Sequence, residues 1–409
     1  MHLYLLIAKL NRLKKYYISG VVFTLLLFAC HSNSQPAPPR IDNSRFHEVP
    51  VSAPVKPLVY DTFSDHIKDI IAQLDKYYKG QVGAGFNGSV LVGVGGKVIY
   101  ERYYGVSNRE KKMPLCNASS CQLASVSKTF TGAAVLYLYQ RKYINLDTPV
   151  QSYLKEFPYP GITVKMLLDH RSGLPDYTKW APVYTGDLKT PIYNAQVMAL
   201  MAQKKPRLEF KPNSRFKYCN TNYAVLARLV EQVTEMKFAD FMYKYIFHPL
   251  GMEHTFVYDP ARGLPPAAAI SYKRYWVREP DMFADGVYGD KGIYSTTEDM
   301  YRWDQSFYQN TILSNETIEL AYGPCSFERK GIKNYGLGWR MYCYANGNKV
   351  IYHNGWWHGN NTSFYRFIKE NMTIIVLGNR FTNSIYHQAS KVYSIVKGKP
   401  EDEGFDTED

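Results

Sequence analysis

No Cys-x-x-Cys pair and no His-Glu-x-x-His helix occurs in the 409 residues, which argues against a structural or catalytic zinc site. Basic residues never run to five in a row, so a nucleic-acid footprint is not indicated. A Gly-x-Ser-x-Gly elbow is missing, which disfavours an α/β-hydrolase. No internal repeat is visible. What remains is an ordinary globular composition, 45% hydrophobic and 21% charged, which excludes disorder throughout. Thirty-six tyrosines suit a large core or an aromatic-lined cleft.

The N-terminus carries a targeting pattern. Lys9, Arg12, Lys14 and Lys15 precede an uncharged run from Ile18 to Ala29, and Cys30 follows. The run is short for a membrane span, which needs about 20 residues, and fits the apolar region of an export signal. Leu27-Phe28-Ala29-Cys30 resembles a lipobox, with Phe28 bulkier than the small residue usual there, so residues 1–30 read as a lipoprotein-type export signal with Cys30 as the lipidation site; a plain cleaved signal and an uncleaved anchor are the alternatives. That implies a membrane-anchored location in a bacterial cell envelope. Residues 31–57 hold six prolines and read as a tether reaching roughly 80 Å if extended. Five cysteines remain after Cys30, an odd number. Cys116 with Cys121, or Cys325 with Cys343, are conceivable pairs in an oxidising compartment, and reduced thiols are equally compatible. The formal charge is +13; four basic residues before Cys30 and six acids in the tail 401–409 leave +15 on the rest. Such a body attracts anionic polymers or carboxylate-bearing substrates.

Periodicity gives a coarse fold. Phe63, Ile67, Ile70, Ile71 and Leu74 recur at helical spacing within 61–78. Runs 89–94 and 97–103 flank Gly95-Gly96, a hairpin signal. Helix-like segments follow at 129–141, 162–168, 195–203 and 223–233. Strand signals return at 349–352, 363–368 and 373–377, and a helix over 383–396 closes the domain. The expected class is α+β: an antiparallel sheet flanked by helices, with an inserted, mainly helical subdomain. A folded domain is expected over 58–397, its sheet drawn from 85–115 and 290–397 and its helical insertion from about 125–285. An acidic tail occupies 398–409.

The chemistry-bearing pattern is Ser125-Val126-Ser127-Lys128. Residues three apart share a helix face, so the amine can reach the hydroxyl. A solvated lysine is about 99.9% protonated at pH 7, so acting as a base demands a shift of about three units. The apolar run after Lys128 supplies the burial. Ser-x-x-Lys also occurs at Ser152/Lys155, Ser214/Lys217 and Ser394/Lys397, so the spacing alone does not choose Ser125.

Context chooses it. Residues from about 60 to 395 resemble the serine β-lactamase-like hydrolases: class C β-lactamases, D-alanyl-D-alanine carboxypeptidases and related esterases. "LASVSKTFTG" resembles their first motif, Tyr218-Cys219-Asn220 their Tyr-x-Asn motif, and His353-Asn354-Gly355 their third. "INLDTPVQSYL", "LLDHRSGLPDY", "HPLGMEHT", "GIYSTTEDM" and "YGLGWR" match as well. The resemblance implies a cleft between a helical insertion and a C-terminal sheet, where Ser125 forms an acyl-enzyme that water hydrolyses. Lys128 and Tyr218 share acid and base work, and which takes the first proton stays open. Asn220 orients Lys128 and the substrate amide. Backbone N–H groups of Ser125 and Trp356 form the oxyanion hole.

The departures bear on specificity. His353 stands where many β-lactamases carry lysine, which weakens carboxylate recognition there. Trp356-Trp357 narrow the pocket or make it aromatic. Asn213 reads as a turn residue tolerant of positive φ. His170 and Ser172 read as braces of a turn, Cys219 as a small buried residue, and Asp176-Tyr177 as cleft or loop. The chemistry calls for no cofactor and no metal. The expected substrate is a small molecule or a peptidoglycan-like peptide, and an esterase or D-Ala-D-Ala-type peptidase is favoured over a β-lactamase. The competing reading is a non-catalytic penicillin-binding or scaffold protein. Oligomeric state is open.

Overall fold

In the computed structural model the described residues are 58–61, 64–326 and 331–399. The export signal, Cys30, the tether, Phe63 and residues 400–409 of the acidic tail lie outside them. No helix among the described residues is long and apolar enough to cross a membrane.

One eight-stranded sheet organises the fold. Its strands are β1 (Val59–Tyr60), β2 (Gly88–Val94), β3 (Lys97–Tyr104), β4 (Lys333–Tyr335), β5 (Arg340–Cys343), β6 (Lys349–Trp357), β7 (Asn360–Phe367) and β8 (Met372–Gly378). Their spatial order is β1-β3-β2-β8-β7-β6-β5-β4. Every pairing is antiparallel except that of the short edge strand β1 with β3. Gly95 (φ 59°) and Gly96 (φ 79°) close the β2–β3 hairpin with both central residues left-handed, which the strand twist demands. Ile293–Ser295 departs from the expectation for 290–397. It joins a small separate sheet with Cys121–Gln122 and Phe256–Val257.

Helix α1 (Asp65–Gly83) starts later than its periodicity implied, because the Ser64 hydroxyl caps Ile67 N–H at 3.4 Å. With α6 (Ile385–Lys397) it covers one sheet face, burying Ile70, Leu74, Tyr78, Ile385 and Val392 against Val90, Val92, Ile374 and Val376. On the other face, α5 (Thr297–Tyr308) packs on β2 and β8. A Cβ on Gly93 would lie 2.2 Å from the Tyr301 ring, so glycine there admits the helix.

The inserted helices centre on α2 (Ser127–Gln140), in which residues 127 to 138 are all buried. It is apolar from Gly132 to Leu138, its buried polar groups gather at its N-terminal end, and it sits in a core. It packs against α4 (Asn220–Thr234) and stacks Phe130 on Trp303 of α5, centroids 4.3 Å apart. A shorter helix, α3 (Tyr177–Thr185), lies against α4.

Candidate active site

Ser125 lies two residues before α2, in the middle of a 3₁₀ turn, Ala124–Val126. Ala124 is buried and left-handed, φ 49°, a strained conformation for a residue with a Cβ. That turn is pressed against β6. A Cβ on Gly355 would stand 2.3 Å from Leu123 O and from Thr362 Oγ1, and 3.1 Å from Ser125 N. Only glycine lets the strand come this close.

Lys128, on the first turn of α2, is fully buried. Its Nζ lies 3.1 Å from Ser125 Oγ, 2.9 Å from Asn220 Oδ1 and 2.8 Å from Asp290 O. Burial pulls its ammonium down to about 8; Asp290 and Asp176 act upward, and Arg340 downward. About a tenth of the molecules then hold a neutral amine at pH 7. A neutral amine keeps two N–H donors, which the Asn220 and Asp290 oxygens satisfy, so its lone pair faces the Ser125 hydroxyl. The lysines of the other three Ser-x-x-Lys copies, Lys155, Lys217 and Lys397, are exposed.

Tyr218 lies on the segment leading into α4, and Asn220 is the first residue of that helix. His170, left-handed at φ 57°, accepts Cys219 N–H at Nδ1 (3.2 Å) and meets Asn222 Nδ2 at 3.1 Å. Ser172 donates to Asn222 Oδ1 at 2.6 Å. These two residues brace the segment. Asp176 caps α3 and accepts from Asn220 Nδ2 at 3.0 Å, aiming the amide oxygen at Lys128. The Tyr218 ring lies 4.9 Å from Lys128 Nζ, 5.1 Å from the Arg340 guanidinium and 4.4 Å from the His170 ring. Asn213 is left-handed, φ 63°, as its turn role requires. Cys219 is buried, and all five cysteines of the described residues are free thiols.

His353 is buried, contacting Asn354 O through Nδ1 (2.7 Å) and Tyr335 Oη through Nε2 (3.3 Å). Burial, with Arg340 and Lys128 nearby, pushes its pKa well below the usual histidine range. It is therefore a neutral group. Arg340 and Lys333 are cations on the cleft wall, which also carries the Glu279 carboxylate.

Ser125, Tyr218, Asn220, Arg340, Trp356 and Trp357 line one cavity of about 830 Å³. Trp356 is 63% exposed at its mouth. Trp357 Nε1 donates to Asp285 Oδ1 at 2.6 Å, and His358 Nε2 lies 2.9 Å from Asp285 Oδ2. The aromatic wall is thus tied down. Arg340, Asp290 and Asp285 carry no role legible in the sequence, and Asp176 reads there as cleft or loop. "YGLGWR" and "LPDY" were visible as matching stretches, but nothing local says that Arg340 or Asp176 reaches a distant serine.

Fold and side-chain set define a serine hydrolase of the β-lactamase and penicillin-binding-protein class. The Beta-lactamase family profile matches residues 70–392, and the chain belongs to that family. It is 32% identical over 335 residues to penicillin-binding protein 4* of Bacillus subtilis (strain 168), covering 78% of this chain and 74% of that one. A D-aminopeptidase of Brucella anthropi is 25% identical over 81% of this chain, which spans only 62% of that enzyme. Among solved structures, a penicillin-binding protein from Bacillus halodurans superposes with a TM-score of 0.68 at 20% identity, over 82% of this chain and 98% of that one. D-amino acid amidase from Ochrobactrum anthropi SV3, complexed with L-phenylalanine amide, superposes with 0.67 at 21% identity, over 82% and 99%. These two likenesses speak to the fold alone.

Proposed function

We propose that this chain is an exported serine hydrolase that cleaves an ester or amide through an acyl-enzyme on Ser125. The observation that carries the reading is the Lys128 amine, buried and 3.1 Å from Ser125 Oγ with its other two positions anchored. Lys128 takes the hydroxyl proton as Ser125 Oγ bonds to the carbonyl carbon. Tyr218 passes that proton to the leaving nitrogen or oxygen as the C–N or C–O bond breaks. Water then attacks the acyl carbon, and Ser125 regains its proton. Asn220 holds Lys128 and the substrate amide. The N–H groups of Ser125 and Trp356 receive the oxyanion, supported by the approach of Gly355 to the Ser125 turn.

A substrate carboxylate is assigned to Arg340, with Lys333 beyond it, in place of the neutral His353. His353 and Gly355 shape the wall beside the scissile bond. A carboxylate-binding cation suits a peptide with a free C-terminus, which favours a D-Ala-D-Ala-type peptidase or an esterase over a β-lactamase. The names of the relatives, penicillin-binding protein and D-aminopeptidase, agree with that class. Export rests on the N-terminal signal pattern, and lipidation at Cys30 would hold the domain at a cell-envelope membrane.

The test is to treat the full chain with a fluorophosphonate and with a fluorescent penicillin, then map the adducts. Both reagents label Ser125 under this reading, and Ser125→Ala labels with neither. Phosphonate labelling alone narrows the activity to an esterase. Hydrolysis unchanged in Ser125→Ala contradicts the assignment.

A further inference from the structure

The chemistry above leaves a second buried lysine unused. Lys291 is 3% exposed, and its Nζ lies 3.1 Å from Asp290 Oδ2. Tyr177, also buried, donates its hydroxyl to the same oxygen at 3.1 Å and accepts from Lys291. The Trp357 ring lies 4.6 Å from the ammonium, and Tyr177 meets it with its hydroxyl edge. A buried ion pair seldom adds stability over apolar packing, so the pair is better explained by what it does for a neighbour. That neighbour is Lys128, whose Nζ donates to the main-chain oxygen of Asp290 itself at 2.8 Å.

The carbonyl that aims Lys128 therefore belongs to a residue bearing a carboxylate. An uncompensated carboxylate at this range favours the protonated amine, the form that cannot accept the serine proton. We propose that Lys291 is a charge-compensating positioning residue: by pairing with Asp290 it keeps the Asp290 carbonyl on the Lys128 amine while offsetting part of the carboxylate's hold on the proton. Lys291 itself gives and takes no proton. The inference rests on the reading that Lys128 deprotonates Ser125.

The other groups facing Lys128 stay constant in the test. Asp176 is engaged by Asn220 and Thr178, and Arg340 lies across the Tyr218 ring. The Cys219 thiol is pushed up to about 12 by burial, and the His170 and His353 imidazoles are held neutral by burial. The Tyr218 and Tyr223 rings lie 4.9 and 5.7 Å from the amine.

The experiment is the rate of Ser125 phosphonylation of the full chain against pH, for wild type, Lys291→Met, Lys291→Arg, Asp290→Asn and the Asp290→Asn/Lys291→Met double variant. Activity rises with pH as Lys128 loses its proton. Lys291→Met moves that limb upward by about one unit, which is about tenfold slower at a fixed pH below it. Lys291→Arg restores it. Asp290→Asn, with Lys291 now uncompensated, moves it below the wild-type value, and the double variant returns it close to wild type. An unmoved limb in folded Lys291→Met overturns the proposal. Should that variant fail to fold, an unmoved limb in Asp290→Asn does the same. A label elsewhere than Ser125, or one surviving Ser125→Ala, sinks the underlying reading instead.

Discussion

Lys128 shows what one buried amine demands of its surroundings. Folding strips its water, and three fixed oxygens replace it. Its proton affinity drops from an ordinary 10.5 to about 8 because burial outweighs the nearby carboxylates. Between those values the unfolded chain binds the extra proton, so the penalty is full below pH 8 and relieved as pH rises towards 10.5. Its ceiling is about 3 kcal/mol. Lys128→Met removes the titrating group, so the variant should gain on wild type at pH 7 and lose that gain at pH 10, less the cost of leaving two acceptors unpaired. Chemical denaturation at the two pH values reads it; a difference in stability that is flat with pH contradicts the burial argument. The same variant should slow acylation by about 10²–10⁴.

At the scale of elements, the site is a meeting of a strained turn, the entry to α4 and one strand. Periodicity alone marked β6 as 349–352, because His353-Asn354-Gly355 carries no β-branched or aromatic strand signal, and only the third-motif resemblance put 353–356 beside the serine. Pairing with β7 continues it to Trp357. Ser125 was expected on a helix and sits on the 3₁₀ turn before one, since α2 begins at Ser127. The i, i+3 pairing with Lys128 survives because that turn runs straight into α2. Arg340 and Asp290 were illegible because their partners are 122 and 162 positions away in the chain, as with Tyr218 and Lys128 respectively. Gly355→Ala tests the junction. Its Cβ meets Leu123 O at 2.3 Å, so the strand must retreat from Ser125. The expected result is a fall of about 10²–10³ in acylation rate, the size of a lost oxyanion donor, with a destabilisation of about 1–3 kcal/mol. Full activity would show that the close approach has no part in the chemistry.

At the scale of the whole molecule, a +13 chain places two cations, Arg340 and Lys333, on the wall of its cleft. Long-range attraction and the local contact should then act together on anionic substrates. For a peptide ending in a carboxylate, kcat/KM should fall as salt rises from about 0.01 to about 0.5 M, while a neutral ester is barely affected. Arg340→Gln should raise KM for the peptide by about tenfold or more and flatten its salt dependence. An unchanged KM would move the carboxylate elsewhere. The fold class was legible because strand and helix periodicity act locally. The sheet order, which runs β2 beside β8, was not, because it is set by pairing between the two ends of the domain.

Whether a neutral Lys128 amine removes the Ser125 proton is decided by the pH dependence of Ser125 phosphonylation in the wild-type chain. A single rising limb with an apparent pKa near 8, absent in Lys128→Met, is the expected result. A limb near 6.5, where histidines titrate, or one that persists in Lys128→Met, would contradict it.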